Sequence, residues 1–310
     1  MSDPIRTHPD VLVLAAGGTL GEAWMRGLLD GLGSAGGIDF RRCEYFVGTS
    51  AGSIVAAVLA AGRSPKAGDD VALRWSEAAG RDGGAGEPAE PAGGPGALAQ
   101  AAHIGLTAAS PLVPLALASA APGTAAARAI ALKAIPRPKR RLPGLRKLID
   151  GLGGDFDGRL RIVAVDRRNG RRVVFGAPGA PVAKISQAVL ASCAVPWIFA
   201  PVKIQGREYV DGGFWSPTNL DVTPAARGIS VLCLNPAASL PPRSPLGALR
   251  AVARTAAFTE GLALRARGAS VRTIAPDDAS ARIMGLNLMD RKRVGAVLEA
   301  AYAQGRALAP

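Results

Sequence analysis

The chain has 310 residues, 48% of them hydrophobic and 20% charged, which is enough apolar material for a packed core and too little charge for a disordered chain. A formal charge of +13 suits partners that carry phosphate, either nucleic acid or an anionic lipid surface. Aromatics at only 5%, with no aromatic-studded strand, argue against nucleic acid. The 30 Arg against 7 Lys, with abundant Ala and Gly, are accounted for equally by GC-rich bacterial coding.

Cys43, Cys193 and Cys233 lie far apart with no paired spacing, so they make neither a zinc site nor a disulfide framework and read as small core residues. The polar start Met1–Asp10 lacks an apolar stretch typical of a secretory signal. No run approaches the twenty unbroken apolar residues of a membrane span. A cytoplasmic location is expected, with contact to a membrane limited to its surface.

In chain order, Val11–Ala15 is a short apolar run of the kind that forms a strand buried on both faces. Gly17-Gly18-Thr19-Leu20-Gly21 follows, then a helix from Glu22 to about Leu32. A second strand, Glu44–Val47, leads into Gly48-Thr49-Ser50-Ala51-Gly52 and a helix from Ser53 to about Ala61. Strand, glycine turn and helix, twice over, predict an α/β fold with a largely parallel central sheet. From about residue 80 to 145 the composition shifts to Gly, Ala and Pro, then to an apolar stretch broken by Pro111 and Pro114. The stretch ends in a basic run of Arg137, Lys139, Arg140, Arg141, Arg146 and Lys147. This reads as an α-rich lid inserted into a single domain spanning 1–310. An apolar flap beside a cationic patch would let the chain dock on an anionic surface, while the plainer reading is a solvated helix face.

The core then resumes. Arg161–Asp166, the turn Asn169-Gly170 and Arg171–Phe175 read as a hairpin, and a helix runs from about Val182 to Cys193. Tyr209-Val210 enters Asp211-Gly212-Gly213, and Gly228–Leu234 is another buried strand. Helices at about Leu246–Arg267 and Arg291–Ala307 complete the chain.

Three segments carry chemistry. Gly48–Gly52 is a G-x-S-x-G set between strand and helix, where a tight turn pushes the Ser50 hydroxyl out at a helix N-terminus. A serine hydrolase of the Ser–His kind needs a histidine later in the chain. The two histidines here are His8 and His103, and none follows residue 103. A carboxylate base remains, and Asp211 ends an extended segment with two glycines behind it. In a dry site it could take the serine proton directly, although Asp-Gly-Gly can also be a plain turn. The third segment, Gly17-Gly18-Thr19, offers successive backbone N–H groups to an anion, either a phosphate or an oxyanion. A dinucleotide site would need G-x-G-x-x-G, but Ala16 stands at its first position and no strand precedes Asp39.

In this order the segments resemble those of the patatin-like phospholipases, over about Val11–Asp221 and including Ala191–Pro196 and Ser216–Asn219. The resemblance implies a three-layer α/β sandwich and a lipid acyl hydrolase. In it Ser50 is the nucleophile, Asp211 the base, and Gly17, Gly18 and Thr19 the oxyanion N–H groups. The substrate would be a phospholipid, lysolipid or acylglycerol, and the chemistry needs no cofactor or metal. Ala16 stands where that family has Gly, and Leu20 where it has Arg or Lys, so headgroup preference does not carry over. The rival reading is an inactive membrane- or partner-binding module on the same fold.

Overall fold

A computed structural model describes residues 8–65, 125–135, 137–224, 227–239 and 247–310. The expected lid over 80–145 therefore lies mostly outside the described residues, and His103 lies wholly outside them.

The two predicted strand–turn–helix units are present as β1 (Val11–Leu14), α1 (Gly18–Gly36), β2 (Tyr45–Thr49) and α2 (Ala51–Ala60). Next come α3 (Ala125–Ala134), α4 (Pro143–Leu152) and the hairpin β3 (Leu160–Asp166) and β4 (Arg172–Phe175). Then follow α5 (Ile185–Ser192), β5 (Val202–Ile204), β6 (Arg207–Asp211) and β7 (Ser230–Leu234). The chain closes with α6 (Gly247–Ala266), β8 (Ser270–Ile274), α7 (Asp278–Met284) and α8 (Val294–Leu308).

The eight strands form one sheet. β3, β2, β1, β7 and β8 run parallel, while β4, β5 and β6 enter through antiparallel pairings. The middle of the sheet is buried on both faces, as the apolar run of β1 predicts. Leu12 and Leu14 join a core built with α1, α2, α4, α5 and α8, and Val11 and Val13 join a second one on the opposite face with Leu264 of α6. This is the sandwich expected from the sequence.

β3 is the ruler of the sheet. Val163 pairs with Thr49 of β2 on one edge and Val174 of β4 on the other; Ala164 pairs with Val173 of β4 and Asp211 of β6. A strand has two edges, so β2 and β6 must share one of them, end to end. Ser50 follows Thr49 and Asp211 ends β6, so the register of β3 alone sets them side by side.

The basic run is not one helix face. Residues 137–142 precede the helix, whereas Arg146 and Lys147 lie on α4. All three cysteines are free and buried.

Gln304 of α8 ties the far end of the core together. Its Oε1 accepts the indole N–H of buried Trp24 (2.8 Å), and its Nε2 donates to the Ala275 carbonyl (2.8 Å). Gln304→Ala strands both partners and should cost about 2 kcal/mol or more of stability. Urea unfolding checks this, and an unchanged midpoint would contradict it.

Candidate active site

Ser50 is the N-cap of α2, with φ 52° and ψ −125°, outside the regions that non-glycine residues favour. The strain is held by close packing. A Cβ on Gly52 would stand 2.0 Å from the Leu14 carbonyl oxygen, so only glycine lets α2 start this close to β1. The Ser50 carbonyl accepts from the Ser53 hydroxyl (2.6 Å) and the Ser53 N–H (2.8 Å). The Ser50 N–H donates to Ser192 Oγ (2.8 Å), whose own proton goes to the Val163 carbonyl (2.6 Å). The elbow is thereby bonded to the strand that sets its register.

Asp211 sits across from it. The Ser50 side chain faces the Asp211 carboxylate and lowers its proton affinity, and the Gly213 N–H donates to Oδ1 (2.7 Å). The Asp211 N–H donates to the Ala194 carbonyl (3.0 Å), just past the end of α5. Asp211 is 4% exposed and Ser50 8%. Burial pushes the carboxyl up from 3.8 to about 6, against Ser50 and the Gly213 N–H, which pull it down.

The glycine loop closes the third side. The Ala16 N–H donates to the Pro217 carbonyl (2.9 Å), which ties the loop to the segment following Asp211. Gly18 takes φ 61°, and a Cβ there would stand 2.9 Å from the Leu288 carbonyl oxygen. The Leu20 N–H donates to that same carbonyl (2.9 Å), and the Leu20 side chain is fully buried. No acceptor for the N–H of Gly17, Gly18 or Thr19 occurs among the described residues. These are orphan donors at the start of α1, where the helix dipole favours negative charge.

Some residues of the site carry no sequence signal of their role. Ser192 and Asn219 fall in segments that the family resemblance covers, but nothing in their spacing says what they hold. Asn219, buried and left-handed at φ 47°, donates from Nδ2 to Thr49 Oγ1 (3.1 Å) and to the Gly212 (3.3 Å) and Ser216 (2.6 Å) carbonyls. One amide thus joins the end of the serine strand to the aspartate turn. Partly buried Glu260 fixes that segment by accepting from Thr218 Oγ1 (2.6 Å) and the Leu220 N–H (2.7 Å). Arg128 of α3 donates to the Phe214 (3.0 Å) and Gly170 (2.8 Å) carbonyls and lies 4.3 Å over the Trp215 ring. It pins α3 onto the turn that carries Asp211.

The structure does not bring His8 here. His8 hydrogen-bonds the Asp39 carbonyl at the amino end of β1, whereas Ser50 lies at the carboxyl end of the parallel strand β2.

With this geometry in view, comparison with known proteins identifies the family. The model of the patatin-like phospholipase family matches residues 12–224, and the chain belongs to that family. No curated protein matches it. Among solved structures it is similar to VipD from Legionella pneumophila, at 15% identity and a TM-score of 0.44, covering 97% of this chain and 67% of that one. It is also similar to the type III effector ExoU, at 18% identity and a TM-score of 0.46, covering 99% of this chain and 53% of ExoU. A third similar structure is the ExoU–SpcU complex from Pseudomonas aeruginosa, at 20% identity and a TM-score of 0.40, covering 97% of this chain and 52% of that one. The chain thus spans about half the length of ExoU.

The buried carboxyl has a measurable consequence. The folded protein holds the Asp211 proton more tightly than the unfolded chain, so Asp211 contributes a loss of stability as pH rises from about 4 to about 6. Asp211→Asn should therefore be more stable than the parent at neutral pH, by the order of 1–2 kcal/mol, with no such gain well below pH 4. Ser50→Ala removes a side chain that favours the carboxylate and should raise the Asp211 pKa above about 6. Denaturant melts across pH test the first expectation, and carboxyl NMR titration tests the second. An Asp211→Asn protein less stable at neutral pH, or an Asp211 pKa that stays put, would contradict this picture.

Proposed function

We propose that the protein is a serine acyl hydrolase that cleaves carboxylic esters of lipids through Ser50 and Asp211. The observation that carries this reading is a strained, helix-capping serine set by strand register beside a buried carboxylate whose proton affinity burial has raised. Family membership supports lipid acyl hydrolysis as the class of reaction.

In the proposed sequence the ester carbonyl oxygen lies against the N–H groups of Gly17, Gly18 and Thr19. Asp211 takes the hydroxyl proton as Ser50 Oγ bonds to the carbonyl carbon. The three N–H groups stabilise the charge that moves onto the oxygen. Collapse of the tetrahedral species expels the alcohol, which receives the proton from Asp211 and leaves an acyl-serine. A water molecule, deprotonated by the same carboxylate, then releases the acid and restores Ser50. A carboxyl pKa near 6 suits both halves, because it is ionised at neutral pH yet returns a proton readily. Substrates are expected among phospholipids, lysolipids and acylglycerols. The rival reading, an inactive binding module, gives no reason for a strained serine and a buried carboxylate set side by side next to unused N–H donors.

Hydrolysis of a soluble p-nitrophenyl ester tests the proposal. Ser50→Ala should lose several orders of magnitude in kcat, and Asp211→Asn roughly a hundredfold or more. The double change His8→Ala with His103→Ala should stay within about threefold, since a histidine acting as general base would contribute far more. In the parent, kcat/KM should climb with pH through about 6, where Asp211 ionises. Undiminished turnover by purified Ser50→Ala, or a large loss in the histidine variant alone, would overturn the assignment.

A further inference from the structure

A second concave feature lies behind the base. Residues 141–142, the first turn of α4 and the segment Phe199–Lys203 enclose a cleft of about 350 Å³. Its walls include Leu142, Leu190, Phe199 and Val202, and its rim carries Arg141, Arg146 and Lys203. The Ala200 N–H donates to the Arg140 carbonyl (2.8 Å), so the two segments are fixed against each other.

The charge is one-sided. Arg141, Arg146 and Lys203 are exposed, and none has a carboxylate partner among the described residues. Arg140 lies 5.4 Å from the Phe199 ring at the same rim. Burial, and then the charge of Arg140, holds the Arg291 guanidinium below its usual range, which places a further cation nearby. Arg137, by contrast, is paired with Glu208 (3.0 Å) and is not part of the rim. Lys203 belongs to β5, far from the basic run in sequence; folding adds it. A larger cavity of about 750 Å³ at the ends of β7 and β8 also carries Arg250, Arg254 and Arg265, but it includes Asp278, and Arg250 and Arg265 donate to the Ala238 and Val271 carbonyls.

We infer that this cleft binds the headgroup of an anionic phospholipid, with the phosphate against Arg141, Arg146 and Lys203 and the first carbons of the lipid on Leu142, Phe199 and Val202. An apolar floor under a cationic rim matches an amphiphile, whereas a free phosphate would leave the floor uncovered. A nucleic acid strand needs open aromatic faces, but Phe199 is 7% exposed and has Arg140 over its ring. The cleft reaches Ala194, whose carbonyl holds the Asp211 N–H, so an occupied cleft sets the membrane surface beside the catalytic segment. This inference does not rest on the hydrolase reading, since the lipid here is an anchor.

The test uses the full chain carrying Ser50→Ala, so that binding is read without turnover and stands or falls apart from catalysis. Sedimentation is measured with phosphatidylcholine vesicles, with and without phosphatidylglycerol. Against anionic vesicles, the triple change Arg141→Glu, Arg146→Glu and Lys203→Glu should weaken binding by roughly tenfold or more. The same charge reversal at exposed Arg42, Arg63 and Arg168 should weaken it far less, because salt screens distant charges. Val202→Ser, which leaves the charge alone, should also weaken binding. Inorganic phosphate should compete no better than chloride at equal ionic strength. If the triple variant fails to fold, Arg146→Gln with Lys203→Gln serves in its place. Equal loss from both charge reversals would mean that only net charge matters. Competition by phosphate beyond ionic strength, or an unaffected Val202→Ser, would mean a free-anion site. Any of these three results overturns the inference.

Discussion

Everything at this site depends on two strands sharing one edge of β3. β2 delivers Ser50 and β6 delivers Asp211, and they meet because Thr49 pairs with Val163 and Asp211 pairs with the next residue, Ala164. No loop has to be held at a distance for the two side chains to touch. The junction between the strands is sealed by Ser192, which takes the Ser50 N–H and gives its own proton to the Val163 carbonyl. Register along β3 is fixed by burial on both faces, because a one-residue slip would turn apolar side chains the wrong way. The packing of the sheet is thus what aligns the pair.

Such a site works against stability in two ways. Ser50 is in a strained conformation, and Asp211 is a carboxylate taken out of water. Both are tolerated because their neighbours are over-determined. Asn219 bridges the two strands, Glu260 fixes the segment that presents Asn219, and Arg128 clamps the turn beyond Asp211. These residues need not meet substrate. They hold a costly arrangement still, and burial of the carboxylate is also what raises its proton affinity towards neutral pH.

Much of this is legible in the sequence. The glycines around Ser50 and after Asp211, and the absence of any histidine beyond residue 103, single out in sequence the two residues that the fold sets side by side. The strands β1, β2 and β7 announce themselves as short apolar runs. Short or two-faced elements do not. β8 reads Ser-Val-Arg-Thr-Ile, half polar because it lies at the sheet edge, and β5 has only three residues. The helix expected to start at Glu22 begins at Gly18, because glycines mask a helix start that the close approach of Leu288 requires. Ser192, Asn219 and Glu260 are ordinary polar residues in sequence; only the fold gives them their roles. Lys203 joins Arg141 and Arg146 through a backbone bond between distant segments, which no local pattern could announce.

The most direct measurement of the central claim is covalent trapping. A fluorophosphonate should form one adduct with the native protein, on the peptide that carries Ser50. Its rate should fall sharply in Asp211→Asn and persist when both histidines are replaced. An adduct on another residue, or no adduct in a protein that still hydrolyses esters, would contradict the account.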